Sequence, residues 1–136
     1  MISNLTPLSY LQRGGSVLLL LGLMGFILPA EWGTPSFTLD GGQSIGRTVL
    51  AAAALTGSGG EEPAWQRRLC LVVGALLLFF GLWGFLSTRH PPATVFELAY
   101  LGVPADSLLH LALGAWGAYA GLRRTPALVT TVSTSP

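Results

Sequence analysis

The sequence predicts an all-α membrane protein, a four-helix transmembrane bundle built from two tandem helix pairs. Three observations lead to this fold class. The 136 residues are 51% hydrophobic and only 10% charged, whereas about 25% of residues are charged in an ordinary soluble domain. Long apolar runs recur along the chain, and two of these runs are near-copies of each other. A chain of this length forms one folding unit, so we expect a single transmembrane domain over residues 1–136.

Two classes of function are excluded by composition and motifs. The net charge is only +1 and the chain has no lysine, so it lacks the basic surface that nucleic-acid binding requires. Ser58 stands in a Gly-Ser-Gly sequence without the frame of a nucleophile elbow. The glycines around it are not followed by the Gly-Lys-Ser/Thr of a phosphate loop. We therefore expect a non-enzymatic protein that binds no nucleic acid.

Three spans are predicted directly by apolar runs, at residues 14–30, 68–88 and 105–122. Each has close to the roughly 20 residues that the hydrocarbon core of a bilayer requires. A fourth segment, residues 43–57, is weaker, because its apolar part between Ile45 and Leu55 gives only about 15 Å of helix. By length alone this segment fits a re-entrant or interfacial helix as well as a span.

An internal repeat favours the fourth span. Residues 15–26 (GSVLLLLGLMGF) and residues 74–85 (GALLLFFGLWGF) share seven identical positions. Downstream, residues 44–57 align with residues 107–120 by their small and apolar character, which sets Arg47 opposite His110. Since self-similarity at a fixed offset is the mark of a repeated structural unit, we expect the segment at 43–57 to span the membrane as 105–122 does.

Arginine placement predicts the orientation, because cytoplasmic loops are enriched in basic residues. With four spans, five arginines share one side, while Arg47 and Arg89 lie on or near the other; the five are Arg13, Arg67, Arg68, Arg123 and Arg124. A three-span arrangement gives the same division, so the repeat decides between them. We expect a bacterial inner or thylakoid-type membrane with both termini in the cytoplasm.

The segments between and after the spans are short. Trp32 lies in a predicted extracytoplasmic loop, where aromatic residues mark the membrane interface. Residues 93–103 lie between prolines, carry Glu97 and Tyr100, and are too short to span. They predict a short interfacial helix on the outer face. The C-terminal tail, residues 125–136, is polar.

Small residues predict where helices pack, since close backbone approach drives helix association in lipid. Glycines three residues apart recur in the first and third spans, and another closes the last span; the candidate packing residues are Gly22, Gly25, Gly81, Gly84 and Gly121.

His110 is the leading candidate for a site, because an ionisable residue inside a span is a functional hypothesis by default. Gly114 and Gly117 follow it on the same helix face. Three interpretations stay open. His110 hydrogen-bonds a neighbouring helix, or it is the axial metal ligand of a chlorophyll or haem for which the two glycines leave room. Alternatively, it joins a proton or ion path with Asp106 or Arg47.

Two charged residues have simpler expected roles. Asp106 precedes the last span and is a reasonable N-cap. Arg47 is expected to extend to the interface or to pair with Asp40, Glu97 or Asp106.

The sequence L-x-x-G-L-x-G-F around Gly22, followed later by S-L-L-H-L-x-L-G-A-x-G around His110, resembles an uncharacterised family of small four-span bacterial membrane proteins. This family, a domain of unknown function, is common in cyanobacteria and actinobacteria. The resemblance covers residues 12–124 and implies the four-span fold. Family members tend to have a histidine-bearing span in both halves, whereas Arg47 takes the first position here. The resemblance implies no activity.

The expected function is that of an accessory or structural subunit packing against a larger membrane complex. A pigment-binding photosynthetic complex is its sharpest version, with chlorophyll and lipids as the bound molecules. The alternative is a small transporter or channel component that uses His110 and Arg47.

Overall fold

The chain folds, in the computed structural model, into four α-helices and one pair of β-strands. The structure describes residues 5–28, 32, 41–86, 93–95, 99–101 and 105–123. The predicted tail at 125–136 and the residues Asp40, Arg89, His90, Glu97 and Arg124 lie outside this part. The elements, in chain order, are α1 (Pro7–Ile27), α2 (Gly41–Ser58), α3 (Pro63–Leu86), β1 (Ala93–Val95), β2 (Ala99–Leu101) and α4 (Ala105–Leu122).

Local signals fix where the helices begin. The Thr6 hydroxyl accepts a hydrogen bond from the Ser9 N–H at 3.2 Å and so satisfies a free donor of the first turn of α1. Pro7 and Pro63 occupy the first positions of α1 and α3, where the fixed φ of proline suits a helix and its missing N–H costs nothing. α1 therefore begins earlier than the predicted span.

The helix at the weakest predicted span is continuous. α2 has 18 residues, as does α4, and each is therefore about 27 Å long, close to the ~30 Å hydrocarbon core of a bilayer. Among the described residues, α1 and α3 are the two helices both long enough and apolar enough to cross a membrane. The prediction of four helices is confirmed.

The predicted interfacial helix at residues 93–103 is wrong. β1 and β2 pair antiparallel there, with Ala93 opposite Leu101 and Thr94 opposite Tyr100. β-Branched and aromatic residues favour strands, and prolines on both sides limit the extension of a helix. β1 contacts α3, and β2 contacts α2.

Two helix pairs make the closest contacts: α1 with α2, the first helix pair, and α3 with α4, the second helix pair. Gly22 of α1 faces Thr48 of α2, and Gly81 of α3 faces Leu111 of α4. In the repeat alignment Gly22 corresponds to Gly81 and Thr48 to Leu111. The same position of each pair is therefore kept as glycine, because a side chain there would meet the neighbouring helix.

A second glycine contact repeats in the same way, nearer the other end of the helices. Gly15 faces Ala54 and Leu55, and Gly74 faces the backbone at Ala118. Leu55 and Ala118 are equivalent positions of the repeat. The duplication seen in the sequence is thus also present in the contacts within the two helix pairs.

Apolar side chains lie both inside and outside the bundle. The interior is filled by residues that include Leu18, Leu77 and Ala120. On the outside, Leu20 of α1 is 61% exposed and Val49 of α2 is 60% exposed. Large exposed apolar residues occur on all four helices, including Leu82 of α3 and Leu108 of α4.

Candidate functional site

Six buried polar or charged residues gather in the first turns of α2 and α4. We call them the polar cluster: Gln43, Ser44, Arg47, Asp106, Ser107 and His110. Three come from each helix, so the cluster lies where the first helix pair meets the second. Since α2 and α4 run in the same direction through the repeat, both contribute their N-terminal ends. These side chains also make α2 and α4 less apolar than α1 and α3.

An ion pair forms the centre of the cluster. Arg47 Nη2 lies 2.5 Å from Asp106 Oδ1, and the two side chains are 2% and 0% exposed. Gln43 Nε2 donates to the other carboxylate oxygen of Asp106 at 3.2 Å. Both oxygens of this α4 carboxylate therefore accept hydrogen bonds from α2. Of the three carboxylates considered for Arg47 from sequence, the structure pairs it with Asp106.

His110 binds within its own helix. Its Nδ1 lies 2.6 Å from the backbone carbonyl oxygen of Asp106, one turn earlier. Because a carbonyl can only accept, Nδ1 carries the proton, and Nε2 of the neutral ring is left as an acceptor. The hydrogen-bonding interpretation of His110 thus has a partner on α4 itself, although a neighbouring helix was expected to supply it.

The serines of the cluster are fully buried. Ser107 Oγ has no hydrogen-bond partner within the part of the chain that the structure describes. Thr48 Oγ1 donates to the carbonyl oxygen of Ser44 at 2.8 Å, which satisfies this hydroxyl inside α2.

Corresponding positions of the repeat supply the two halves of the cluster. When residues 44–57 are laid on residues 107–120 and the alignment is extended by one position, each residue from α2 has its counterpart on α4: Gln43 with Asp106, Ser44 with Ser107, and Arg47 with His110. Both helices thus carry a polar residue, a serine and a basic side chain at matching places. The charges differ, because Arg47 carries the cation of the first helix pair and Asp106 the anion of the second.

The space beside the two glycines that follow His110 is filled. A Cβ on Gly114 would lie 2.7 Å from the backbone nitrogen of Leu78, and one on Gly117 would lie 2.5 Å from the Tyr10 hydroxyl. α3 and Tyr10 occupy the positions where a chlorophyll or haem was expected. In this arrangement the glycine face offers no room for such a ring.

The remaining predicted glycines differ in their surroundings. Gly22 and Gly81 stand at the repeated helix contacts described above. A Cβ on Gly121 would lie 2.7 Å from Leu71, and the carbonyl oxygen of Gly121 accepts from Arg67 Nε at 3.1 Å. Gly84 is buried, and Gly25 is half-buried.

The opposite end of the interior is closed by aromatic and apolar packing. The rings of Tyr10 and Trp116 meet edge to face, with centroids 5.3 Å apart. Leu69 of α3 fills the space beside Gly57 of α2. Cys70 is buried and its thiol donates to the carbonyl oxygen of Pro7 at 3.4 Å.

Sequence reasoning missed Gln43, Ser44 and Ser107 as members of a site. A signal for them exists in the repeat, because Gln43 aligns with Asp106 and the two serines align with each other. The sequence assigned His110 as a candidate metal ligand. Among the described residues, no group of three or more His, Cys, Asp or Glu side chains is placed to hold a metal ion.

Chemically, the cluster pairs opposite charges across the boundary between the helix pairs. Comparison with family models, curated proteins and solved structures gives no match for this chain. The resemblance to the four-span bacterial family therefore stays an expectation from the sequence.

Proposed function

We propose that the protein is a non-enzymatic, four-span integral membrane protein that acts as an accessory or structural subunit of a larger membrane complex. One observation carries the proposal: the buried charges cancel each other within the polar cluster, while the rest of the described interior is filled by apolar side chains and glycine contacts. Such an interior suits a rigid membrane-embedded unit.

Exposed apolar side chains on α2 and α4 support four spans. Ile45 and Val49 of α2 and Leu108 and Leu122 of α4 are all more than half exposed. In water, a continuous exposed apolar surface of this kind favours association, whereas in a bilayer it meets lipid tails. The polar residues that lower the hydropathy of α2 and α4 are buried and so do not face lipid.

The positions of the arginines support cytoplasmic termini. Arg67 and Arg68 lie in the first turns of α3, and Arg123 follows the last residue of α4. These residues are at the end of the bundle opposite the polar cluster. Under the preference of basic residues for the cytoplasmic side, this end and both termini face the cytoplasm.

A transporter or channel component is the second candidate, and the Arg47–Asp106 pair is the observation that favours it, because intramembrane ion pairs often mark transport paths. Two features argue against it. The polar cluster is confined to the first turns of α2 and α4. Beyond it, the interior holds buried apolar residues such as Leu77 and Val73, and Tyr10 closes the opposite end.

The proposal is tested by two measurements on the tagged, full-length protein. Purified from its own membranes in native lipid, the protein is expected in a particle of fixed composition that contains other membrane polypeptides. Reconstituted alone in vesicles, it is expected to pass no more protons or ions than empty vesicles. A particle of the 14.3 kDa chain alone, or a flux that Arg47→Gln abolishes and Arg68→Gln preserves, would contradict the accessory role.

A further inference from the structure

We propose that the Arg47–Asp106 ion pair determines which helix pairs associate: it makes the first helix pair bind the second and reject a second copy of itself. This inference goes beyond the accessory role and does not depend on it, because it rests on the burial and placement of these two side chains.

The repeated contacts show why shape alone cannot make this choice. Gly22 and Gly81 occupy the same place in the two helix pairs, and so do Gly15 and Gly74. The two pairs also place their polar residues at matching positions of α2 and α4. A surface on one helix pair that fits the other therefore also approximates the surface that a second copy of the same pair would present.

Charge breaks this near-equivalence. When the first helix pair meets the second, Arg47 faces Asp106. If two copies of the first helix pair met in the same way, each Arg47 would face Gln43 of the other copy, and two buried cations would have no carboxylate. A buried charge that loses its partner is strongly destabilising.

The second helix pair is disfavoured with itself for a related reason. Two copies would set each Asp106 against His110 of the other copy, and two carboxylates would enter one buried cluster. A neutral histidine supplies no compensating charge, and charging both rings in a buried place is itself unfavourable. The pairing of unlike helix pairs is the arrangement that matches one cation with one anion.

The neutral partners make the selection possible. Gln43 stands where the second helix pair has its carboxylate, and His110 stands where the first has its guanidinium. Had both pairs carried both charges, each would be complementary to itself, and the ion pair would not discriminate. Buried polar residues that select one partner over another are well attested in helix assemblies.

The test uses two full-length chains with different affinity tags. One carries Asp106→Arg, which places a cation in the cluster from both of its helix pairs. The other carries Arg47→Asp, which places an anion in the cluster from both. Within either chain the helix pairs repel, whereas between the two chains each helix pair finds an oppositely charged partner.

Produced together and purified in native lipid, the two variants are expected to form a dimer by exchange of helix pairs. Recovery of the second tag should be about tenfold or more above that from two wild-type chains, the factor that about 1.4 kcal/mol of selection gives. The double variant Arg47→Asp/Asp106→Arg is expected to accumulate as a monomer, because the swapped charges again attract within one chain. The pair Arg47→Gln/Asp106→Asn is the uncharged control, expected to give no selective recovery.

Failure of the single variants to accumulate alone, with rescue of both on joint production, supports the proposal. It is overturned if each single variant is monomeric and as resistant to unfolding as the wild type. It is equally overturned if neither joint production nor the double variant restores accumulation.

Discussion

Arg47 and Asp106 are 59 positions apart in the sequence, yet Arg47 Nη2 of α2 lies 2.5 Å from Asp106 Oδ1 of α4. Both side chains are buried, and Gln43 occupies the second carboxylate oxygen. The contact crosses the boundary between the two helix pairs. It accounts for the polar residues that interrupt two otherwise apolar helices.

Removing the cation should unfold the bundle more easily. Arg47→Leu leaves the Asp106 carboxylate buried without its charged partner, so we expect a loss of about 3–5 kcal/mol in the free energy of unfolding. Denaturant unfolding in detergent, followed by tryptophan fluorescence, measures this. Arg68→Gln, on the exposed face of α3, is the matched control and should cost less than about 1 kcal/mol. Equal effects of the two substitutions would show that the pair does not hold the helix pairs together.

Glycine substitutions should separate tight contacts from open positions. A Cβ on Gly74 would lie 2.7 Å from the backbone nitrogen of Ala118, whereas one on Gly46 would meet nothing within 4 Å. We expect Gly74→Ala to cost about 1–3 kcal/mol through overpacking, because backbone cannot yield as a side chain can. Gly46→Ala should stabilise by about 0.5–1 kcal/mol through the lower flexibility of the unfolded chain. Thermal melts of both variants in the same detergent check the contrast, and a destabilised Gly46→Ala protein would refute it.

Tyr10 should contribute through its ring and not through its hydroxyl. The ring packs on Trp116, and the hydroxyl is buried without a hydrogen-bond partner among the described residues. Since leaving a polar group buried and unpaired is costly, Tyr10→Phe should be neutral or stabilising by about 1 kcal/mol. Tyr10→Ala should cost about 3–5 kcal/mol, as expected for the loss of a large core side chain. A Tyr10→Phe variant that loses as much stability as Tyr10→Ala would reveal an essential role for the hydroxyl.

His110 should tolerate asparagine. Its Nδ1 makes one hydrogen bond to a carbonyl of its own helix, and side-chain hydrogen bonds inside membrane proteins contribute about 0.6 kcal/mol on average. His110→Asn should therefore change the unfolding free energy by less than about 1 kcal/mol. The absorption spectrum of the protein isolated with its native partners provides an independent check. A visible band that disappears in His110→Leu while the protein still assembles would restore the chlorophyll or haem interpretation.

Much of the fold was predictable because its signals are local. The Thr6–Pro7 start of α1 and the repeat of glycine-containing runs depend on neighbouring residues. The strands at Ala93–Val95 and Ala99–Leu101 were missed because a segment of about ten residues between prolines, with alternating small and apolar character, fits a short helix as well as a hairpin. The deciding contacts are with α2 and α3, and the sequence does not display them.

The site was less predictable. Sequence analysis offered three carboxylates for Arg47, and only the tertiary packing distinguishes Asp106 from the others. The repeat paired Arg47 with His110 as equivalent positions, but equivalence does not tell which residue of one half contacts which residue of the other. Likewise, Gly114 and Gly117 indicated free space beside His110, whereas α3 and Tyr10 fill it.

The central claim, that α2 spans the membrane as part of a four-span bundle, is tested most directly by the location of the segments on either side of it. In a chain with Cys70→Ala, single cysteines are introduced as Trp32→Cys, before α2, and Gly59→Cys, after it. Intact cells and inverted membrane vesicles are then treated with a thiol reagent that cannot cross the bilayer. We predict that Trp32→Cys is labelled from outside and Gly59→Cys only from the cytoplasmic face. Labelling of both positions from the same side would contradict the four-span account.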